Sequence, residues 1–477
     1  MTKGDKSRWN WQWPETGRDE KKLAEIVKTI PSPYEEVIRP ICYPGTNLSK
    51  GLLGRAKGLL SKQINSIGSH TSGEILEDGM WEFRKGEGGF ETVQHIEAQV
   101  VWMIASMIGG TPATIDGYFC GGGTEANLQG LWMGREWLKQ CPDPLNKGIV
   151  VLASTLHHYS IVKATELLDI GHPQKITCTQ CGRPHLFMPD STGAGLNLVG
   201  MNEKGEISIS DLEKVFRQKY NEGFRRFLIV PTVGTCLMGS IDPIREIGEF
   251  TRSMRNTGSY FYIHVDASFA GFTVPFVKPD LPIGFTVPEV MSMTLDGDKM
   301  GRLPYPAGIF LCRKKLMNLV AQKVNYVRGN EDNTVSGSRT CISPVLAWYL
   351  YQSEGIQGQR EYVQQCLDGR DKLLELITRR LPWIKLLPYS PWVNFAPMEI
   401  SIDMQKGEIP EEIWETGGIL APYHLRSDYF PSRPIDPYSC PIIVYKICIM
   451  PHNLKEGLLE KFIDDIDQAD QEWKKKH

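Results

Sequence analysis

A chain of 477 residues is too long for one small core and calls for a large domain with a smaller companion. A net charge of −3 leaves no basic footprint for nucleic acid or a membrane surface, and 41% apolar with 23% charged residues is ordinary globular usage. The opening MTKGDKSRWNWQWPETGRDEKK lacks the apolar core of a secretory signal, and no stretch approaches the roughly 18 apolar residues of a membrane span.

Taken in order, residues 1–75 read as an N-terminal arm: a helix near 18–29, then the Pro/Gly-rich PSPYEEVIRPICYPGTNLSKG. From about Phe90 helices and short apolar strands alternate. ETVQHIEAQVVWMIASMIG is helical by its apolar period, and GIVVLAS at 148–154 is a continuous apolar strand. HYSIVKATELLDI is again an amphipathic helix. FRRFLIVPTVGT, SYFYIHVDAS, VMSMTLDGDK and PAGIFLCRK each bring an apolar run to a polar or glycine-rich end, with the helices SDLEKVFRQKYNEG and PIREIGEFTRSMRN between them. Such alternation predicts an α/β fold, a mostly parallel sheet covered on both faces, with ligands outside the carboxyl ends of its strands. After about Pro344 a long helix, short strands and the final helix LKEGLLEKFIDDIDQADQEW predict a smaller α+β domain. The expected division is 1–75, 76–345 and 346–477.

The eleven cysteines form no disulfide framework; several lie in apolar runs, as Cys312 in GIFLCRK and Cys448 in YKICIM, and read as reduced thiols of a cytoplasmic protein. Cys178 and Cys181 form a CxxCG knuckle with His185 beyond it, half of a zinc site to which Cys141 or His172 could add ligands. With no second CxxC, a solvent-side loop with two free thiols is the favoured reading and no metal is expected.

The strand ends carry the chemistry. GYFCGGGTEAN runs from a strand through Gly122 and Gly123 to Thr124 at a helix start, which is a phosphate cradle or merely a glycine-rich turn. Asp266 in HVDASFAG ends an apolar strand; a buried carboxylate needs a cation or donor, and a pyridinium nitrogen is one, a turn cap the alternative. Lys299 in SMTLDGDKMG is a surface lysine, or an amine whose lowered pKa suits it to bond an aldehyde. His158 in STLHHYS opens a helix where it could stack on a flat ring, and Thr235 in PTVGTCLMGSIDPI stands at another strand end.

Together, in this order, these motifs resemble the group II decarboxylases of amino acids that depend on pyridoxal 5′-phosphate (PLP), enzymes of fold type I. The resemblance runs from about His70 to the C-terminus and is closest to the compact bacterial tryptophan or tyrosine decarboxylases, whose stretches look like GGTEAN, HYS, HVD, LDGHKM and SGSR. It implies that Lys299 carries the cofactor, that Asp266 partners the pyridinium nitrogen, and that His158 stacks on the ring and borders the substrate carboxylate. Gly122, Gly123 and Thr124 match the phosphate turn, Ser160 and Thr235 match cofactor contacts, and Ser268 falls beneath the ring where many relatives have alanine. Ser336, Gly337 and Ser338, with Arg339, resemble a loop that reaches the neighbouring subunit's phosphate, implying a homodimer with shared active sites. Tyr326 lies where relatives carry a mobile tyrosine that reprotonates Cα.

The implied activity is conversion of an L-amino acid, an aromatic one favoured, to its amine and CO₂. The alternatives are another fold type I lyase or aminotransferase, or a decarboxylase for histidine or an acidic amino acid. Two departures stand out. Asp298 replaces the usual histidine before the lysine, and its repulsion of the phosphate calls for neutralisation, by protonation or by a cation for which Arg302 is the candidate by sequence. Residues 174–196 look like an insertion.

Overall fold

The computed structural model describes residues 13–29, 66–67, 73–75, 81–83, 91–171, 174–177, 184–188, 192–324, 331–399, 423–425, 442–450, 454 and 457–476. Seven strands form the central sheet: β1 (Ile115–Cys120), β2 (Ile149–Ser154), β3 (Gly195–Val199), β4 (Arg226–Val230), β5 (Tyr260–Asp266), β6 (Val290–Asp296) and β7 (Gly308–Arg313). Their spatial order is β1-β7-β6-β5-β4-β2-β3. Only β7 runs antiparallel to its neighbours; the pairs β5–β6, β4–β5, β2–β4 and β2–β3 are parallel.

The apolar runs become buried strands because helices cover both faces, so each strand needs side chains that tolerate burial on either side. The covering helices include α1 (Glu91–Met107), α2 (Gly123–Lys139), α3 (Tyr159–Leu167), α4 (Ile209–Asn221) and α5 (Ile244–Met254). The mostly parallel α/β sheet is as the sequence predicts. Two features were not foreseen there: β3, with only the short run GLNLV, and the reversed direction of β7. The link from β6 to β7 carries no helix, whereas a parallel return needs a crossover of roughly a dozen residues or more, usually helical.

The long helix α6 (Ile342–Arg380) is interrupted at Gly355, whose φ of 66° and ψ of −169° break the helical path. The N-terminal segment seals the break. Ile356 N donates to Pro14 O at 2.7 Å and Gln357 N to Glu15 O at 2.9 Å, satisfying amides the kink releases. Trp13 is buried beside it, stacked on Tyr351 at 4.5 Å and edge-on to Phe276 at 5.2 Å.

A second, antiparallel sheet of β8 (Lys385–Leu386), β9 (Phe395–Glu399), β10 (Tyr423–Leu425) and β11 (Ile442–Cys448) has the order β8-β9-β11-β10. The terminal helix α7 (Leu458–Lys476) joins its core through Ile463 and Ile466, packed with Leu373 and Ile377 of α6. Among the described residues no helix is long and apolar enough to cross a membrane.

Candidate active site

The carboxyl ends of β1, β2, β4, β5 and β6 deliver the five sequence motifs to one edge of the sheet, the position at which open α/β sheets bind ligands. After β1 the chain turns through Gly122, the N-cap of α2, at φ 142° and without a side-chain cap. The first N–H groups of α2 therefore lack a side-chain acceptor, and the helix start carries partial positive charge. A Cβ on Gly122 would meet nothing within 4 Å, whereas one on Gly123 would stand 2.7 Å from Ser268 Oγ and from Asp296 Oδ2. Thr124, half-buried, stands at the same start. Ser336 Oγ donates to Glu125 Oε1 at 2.6 Å, placing the 336–339 loop beside this turn within the same chain. Ser336 and Ser338 are exposed, and Gly337 takes a left-handed φ of 62°.

Asp266 is buried at the end of β5. Its Oδ1 accepts from Ser268 Oγ at 2.6 Å and Ser268 N at 3.1 Å, and its Oδ2 accepts from Asn127 Nδ2 at 2.9 Å. Burial alone pushes this carboxyl up, but the charges of His158 and Lys299 and the bonds from Ser268 and Asn127 hold it below the usual carboxylate range. The result is a buried, ionised carboxylate.

Asn127 also organises His158. Its Nδ2 lies 2.9 Å from Ser160 Oγ, which lies 2.8 Å from His158 Nδ1, and the same imidazole nitrogen accepts from Ser160 N as the cap of α3. Behind them Tyr262 Oη donates to Ser292 Oγ at 2.9 Å, Ser292 Oγ lies 2.8 Å from His264 Nδ1, and His264 Nε2 lies 3.0 Å from Asn127 Oδ1. Donors and acceptors alternate consistently if His264 is neutral, and burial lowers its pKa to about 4. The chain of donors ends on His158 Nδ1 and leaves Nε2 to carry that ring's hydrogen. Burial lowers His158 as well, against the pull of Asp266.

Lys299 follows β6, one-third exposed, with Nζ 2.8 Å from Asp296 Oδ2. Here the structure corrects the expectation of a lowered pKa. Burial acts in that direction, but the charge and hydrogen bond of Asp296, with Asp266 and Asp298 behind it, prevail and hold the ammonium above its ordinary value. Asp298 is raised by burial, with Lys299 and a backbone hydrogen bond from Ala307 opposing, and its Oδ1 is buried without a hydrogen-bond partner among the described residues. Arg302 does not compensate it. Its Nη1 donates to Glu354 Oε2 at 2.5 Å and its guanidinium lies over Tyr362 at 4.6 Å, because a left-handed φ of 67° turns the residue toward α6.

Thr235 is fully buried and its Oγ1 lies 2.6 Å from Ser240 Oγ, so the hydroxyl closes its own turn beside the end of β5. Tyr326 lies outside the described residues, as do His172, Cys178, Cys181 and the side chain of His185. Cys141 is a free, half-buried thiol directed at Trp137 O.

Three side chains at this edge were not singled out from the sequence. Asn127 sits one turn into α2, and a polar residue on the buried face of a helix is the signal that could have found it. Asp296 was read only as part of the lysine motif. Lys446 of β11 reaches across from the second sheet to Cys236 O and lies 4.3 Å from the centroid of Phe395. Burial lowers its pKa, and Lys299 adds to the shift. Alternation along a short strand in a remote segment gave no reason to place it here.

Residues 92–387 match the family model described as the pyridoxal-dependent decarboxylase conserved domain. Among curated proteins the chain is similar to the tryptophan decarboxylase of Clostridium sporogenes, 28% identical over 65% of this chain and 66% of that protein. It is also similar to a probable L-aspartate decarboxylase of Archaeoglobus fulgidus, 27% identical over 80% of this chain and 86% of that one. The match thus spans just under two thirds of the length of the first relative. Among solved structures, L-methionine decarboxylase from Streptomyces sp. 590 shares the fold, with a TM-score of 0.65 at 16% identity over 94% of this chain and 93% of that chain. The donors present fit pyridoxal phosphate: an ionised buried carboxylate suits a ring N–H⁺, a primary amine suits an aldehyde, and an uncapped helix start with open space beside Gly122 suits a phosphate. Motif, fold and donor set agree with a match that covers most of the chain, and the protein belongs to the pyridoxal-dependent decarboxylase family.

Proposed function

We propose that this chain decarboxylates an L-amino acid, an aromatic one by preference, releasing the amine and CO₂. When bound, pyridoxal phosphate supplies an electrophilic aldehyde and a ring able to take up the electron pair of the broken bond. Lys299 Nζ would hold the cofactor through its aldehyde carbon. Asp266 keeps a proton on the ring nitrogen. His158 packs against the ring and presents Nε2–H toward the carboxylate that departs, its orientation fixed through Ser160. Gly122, Gly123 and Thr124 hold the phosphate, Ser160 and Thr235 contact the cofactor, and Ser268 lies beneath its ring. Tyr326, or Lys299 itself, returns a proton to Cα.

The observation that carries this reading is that Asp266, His158 and Lys299 end or follow three different strands at one edge of the sheet, with Asp266 and His158 joined through Asn127 and Ser160. Incubation with pyridoxal phosphate and each of the twenty amino acids, with CO₂ and amine detected, tests it. Turnover of tryptophan or tyrosine is the expected result. Accumulation of pyridoxamine phosphate with a keto acid instead would assign an aminotransferase.

A second reading, an acidic amino acid as substrate, is favoured by Lys446, a cation near Lys299, and by the similarity to a probable L-aspartate decarboxylase. Aspartate and glutamate in the same assay separate the two.

The proposal extends to assembly. Ser336, Gly337 and Ser338, held beside their own chain's turn by the Ser336–Glu125 hydrogen bond, extend across a two-fold axis to the partner's phosphate in a cytoplasmic homodimer, built from an arm at 1–75, a cofactor-binding domain at 76–345 and a small domain at 346–477. Sedimentation at nanomolar concentration should show a dimer; a fully active monomer refutes shared sites.

A further inference from the structure

The start of α2 faces a carboxylate. A Cβ on Gly123 would stand 2.7 Å from Asp296 Oδ2 and 2.8 Å from Oδ1, so the acid lies directly over the turn assigned to the phosphate. Asp296 is 4% exposed. Oδ2 is paired with Lys299 Nζ at 2.8 Å, while Oδ1 is buried with no hydrogen-bond partner among the described residues. A buried acceptor without a donor is costly, and a dianion brought beside it raises the cost further. The cation that pairs with Asp296 is also the residue proposed to hold the cofactor, so loading withdraws positive charge from Asp296 while adding negative charge at α2.

We propose that Asp296 takes up a proton when the cofactor binds and, as a neutral acid, donates a hydrogen bond to the phosphate at the start of α2. The inference rests on the reading of that helix start as the phosphate site. A protonated carboxyl offers one O–H donor, which turns an orphaned acceptor and a repulsive neighbour into a phosphate ligand.

The charged and titratable groups facing Asp296 are Lys299 and Asp298 on its own turn, Asp266 from β5, and Cys120 from the end of β1. Burial is the largest influence and raises Asp296; Lys299 opposes it, Asp298 and Asp266 add to it, and the carboxyl of the free protein sits at about 6. Below that pH the acid is already protonated and binding needs no further proton. Above it the proton must come from solvent, so affinity falls as pH rises.

The test compares the parent with Asp296→Asn, and with Asp296→Ser should the first fail to fold. Pyridoxal phosphate affinity is measured by cofactor absorbance from pH 6 to 8. Protons exchanged on binding are counted by calorimetry in buffers of different ionisation enthalpy. Because the substitution also lowers the Lys299 pKa, proton release from Lys299 is read in each protein from the pH dependence of the cofactor's visible absorbance and subtracted. The ratio of parent to variant Kd should grow by about tenfold per pH unit, and at pH 8 the parent should take up about one proton more than the variant. A constant ratio with equal proton counts overturns the proposal. Absence of cofactor binding in both proteins overturns it together with the assignment of the phosphate site.

Discussion

Asn127 Nδ2 stands 2.9 Å from Asp266 Oδ2, tying the first turns of α2 to the end of β5 across 139 residues of sequence. The bond keeps a buried carboxylate ionised where a ring nitrogen is to be held protonated. Asn127→Ala removes one of the influences that oppose burial, so the Asp266 pKa should rise. A hydrogen bond to a charged group is worth about 1.5–3 kcal/mol, which corresponds to roughly 10- to 100-fold weaker cofactor binding. The ionised form is the useful one, so the pH below which cofactor is lost should move upward. Cofactor fluorescence titrated from pH 5 to 8 measures both. An unchanged affinity and pH limit would detach Asn127 from the site.

Lys299→Ala should remove the visible absorption of the bound cofactor and abolish turnover. In the parent, borohydride reduction followed by peptide mapping should place the pyridoxyl group on Lys299, and its recovery on Lys446 would exchange the roles of the two lysines at this edge.

The sheet and its chemically loaded edge were legible because parallel strands buried on both faces leave continuous apolar runs, and each run ends at its functional residue: Cys120 before the glycine turn, Asp266 in HVD, Asp296 before Lys299. What the sequence did not show depends on distance through space. Arg302 is three residues from Lys299, yet its backbone turns it to Glu354 on α6. Lys446 is 147 residues away and arrives through the packing of a second sheet. The protonation of Lys299 was misjudged for the same reason: a lowered pKa was expected, but not the Asp296 carboxylate at 2.8 Å.

Arg339 and Glu97 form a buried ion pair behind the glycine turn, with Arg339 Nη2 2.9 Å from Glu97 Oε2. Arg339 Nη1 donates to Phe119 O at 2.7 Å and Glu97 Oε1 accepts from Phe119 N at 2.8 Å, so the pair clamps the last turn of backbone before Cys120. Arg339→Met leaves Glu97 buried and uncompensated, which costs about 3–5 kcal/mol. Adding Glu97→Gln should recover a substantial part, because the stranded charge is then gone. Urea denaturation of the two single variants and the double variant measures the coupling. Equal and additive losses would show that the two side chains do not act as a pair.

Three histidines, His95 and His264 buried and His157 half-buried, set the acid limit of stability. Burial pushes His95, His157 and His264 down to about 4, although Asp266 pulls His264 and the Ser154 carbonyl pulls His157 the other way. In the unfolded chain each returns to about 6.5. Between these values the unfolded state binds more protons, so folding stability rises with pH. It is fully present above about 6.5 and is lost as pH falls toward 4, by up to about 1.4 kcal/mol per pH unit for each histidine. His264→Gln provides the test. The variant should be less stable than the parent at pH 7, having broken the chain from Ser292 to Asn127, but that loss does not depend on pH. Its stability between pH 5 and 6 should therefore fall less steeply, by about 1.4 kcal/mol per pH unit, as measured by urea denaturation at several pH values. A slope equal to the parent's would mean that His264 carries the same proton in the folded and unfolded chain, and the neutral imidazole on which the donor chain to His158 depends would have to be abandoned.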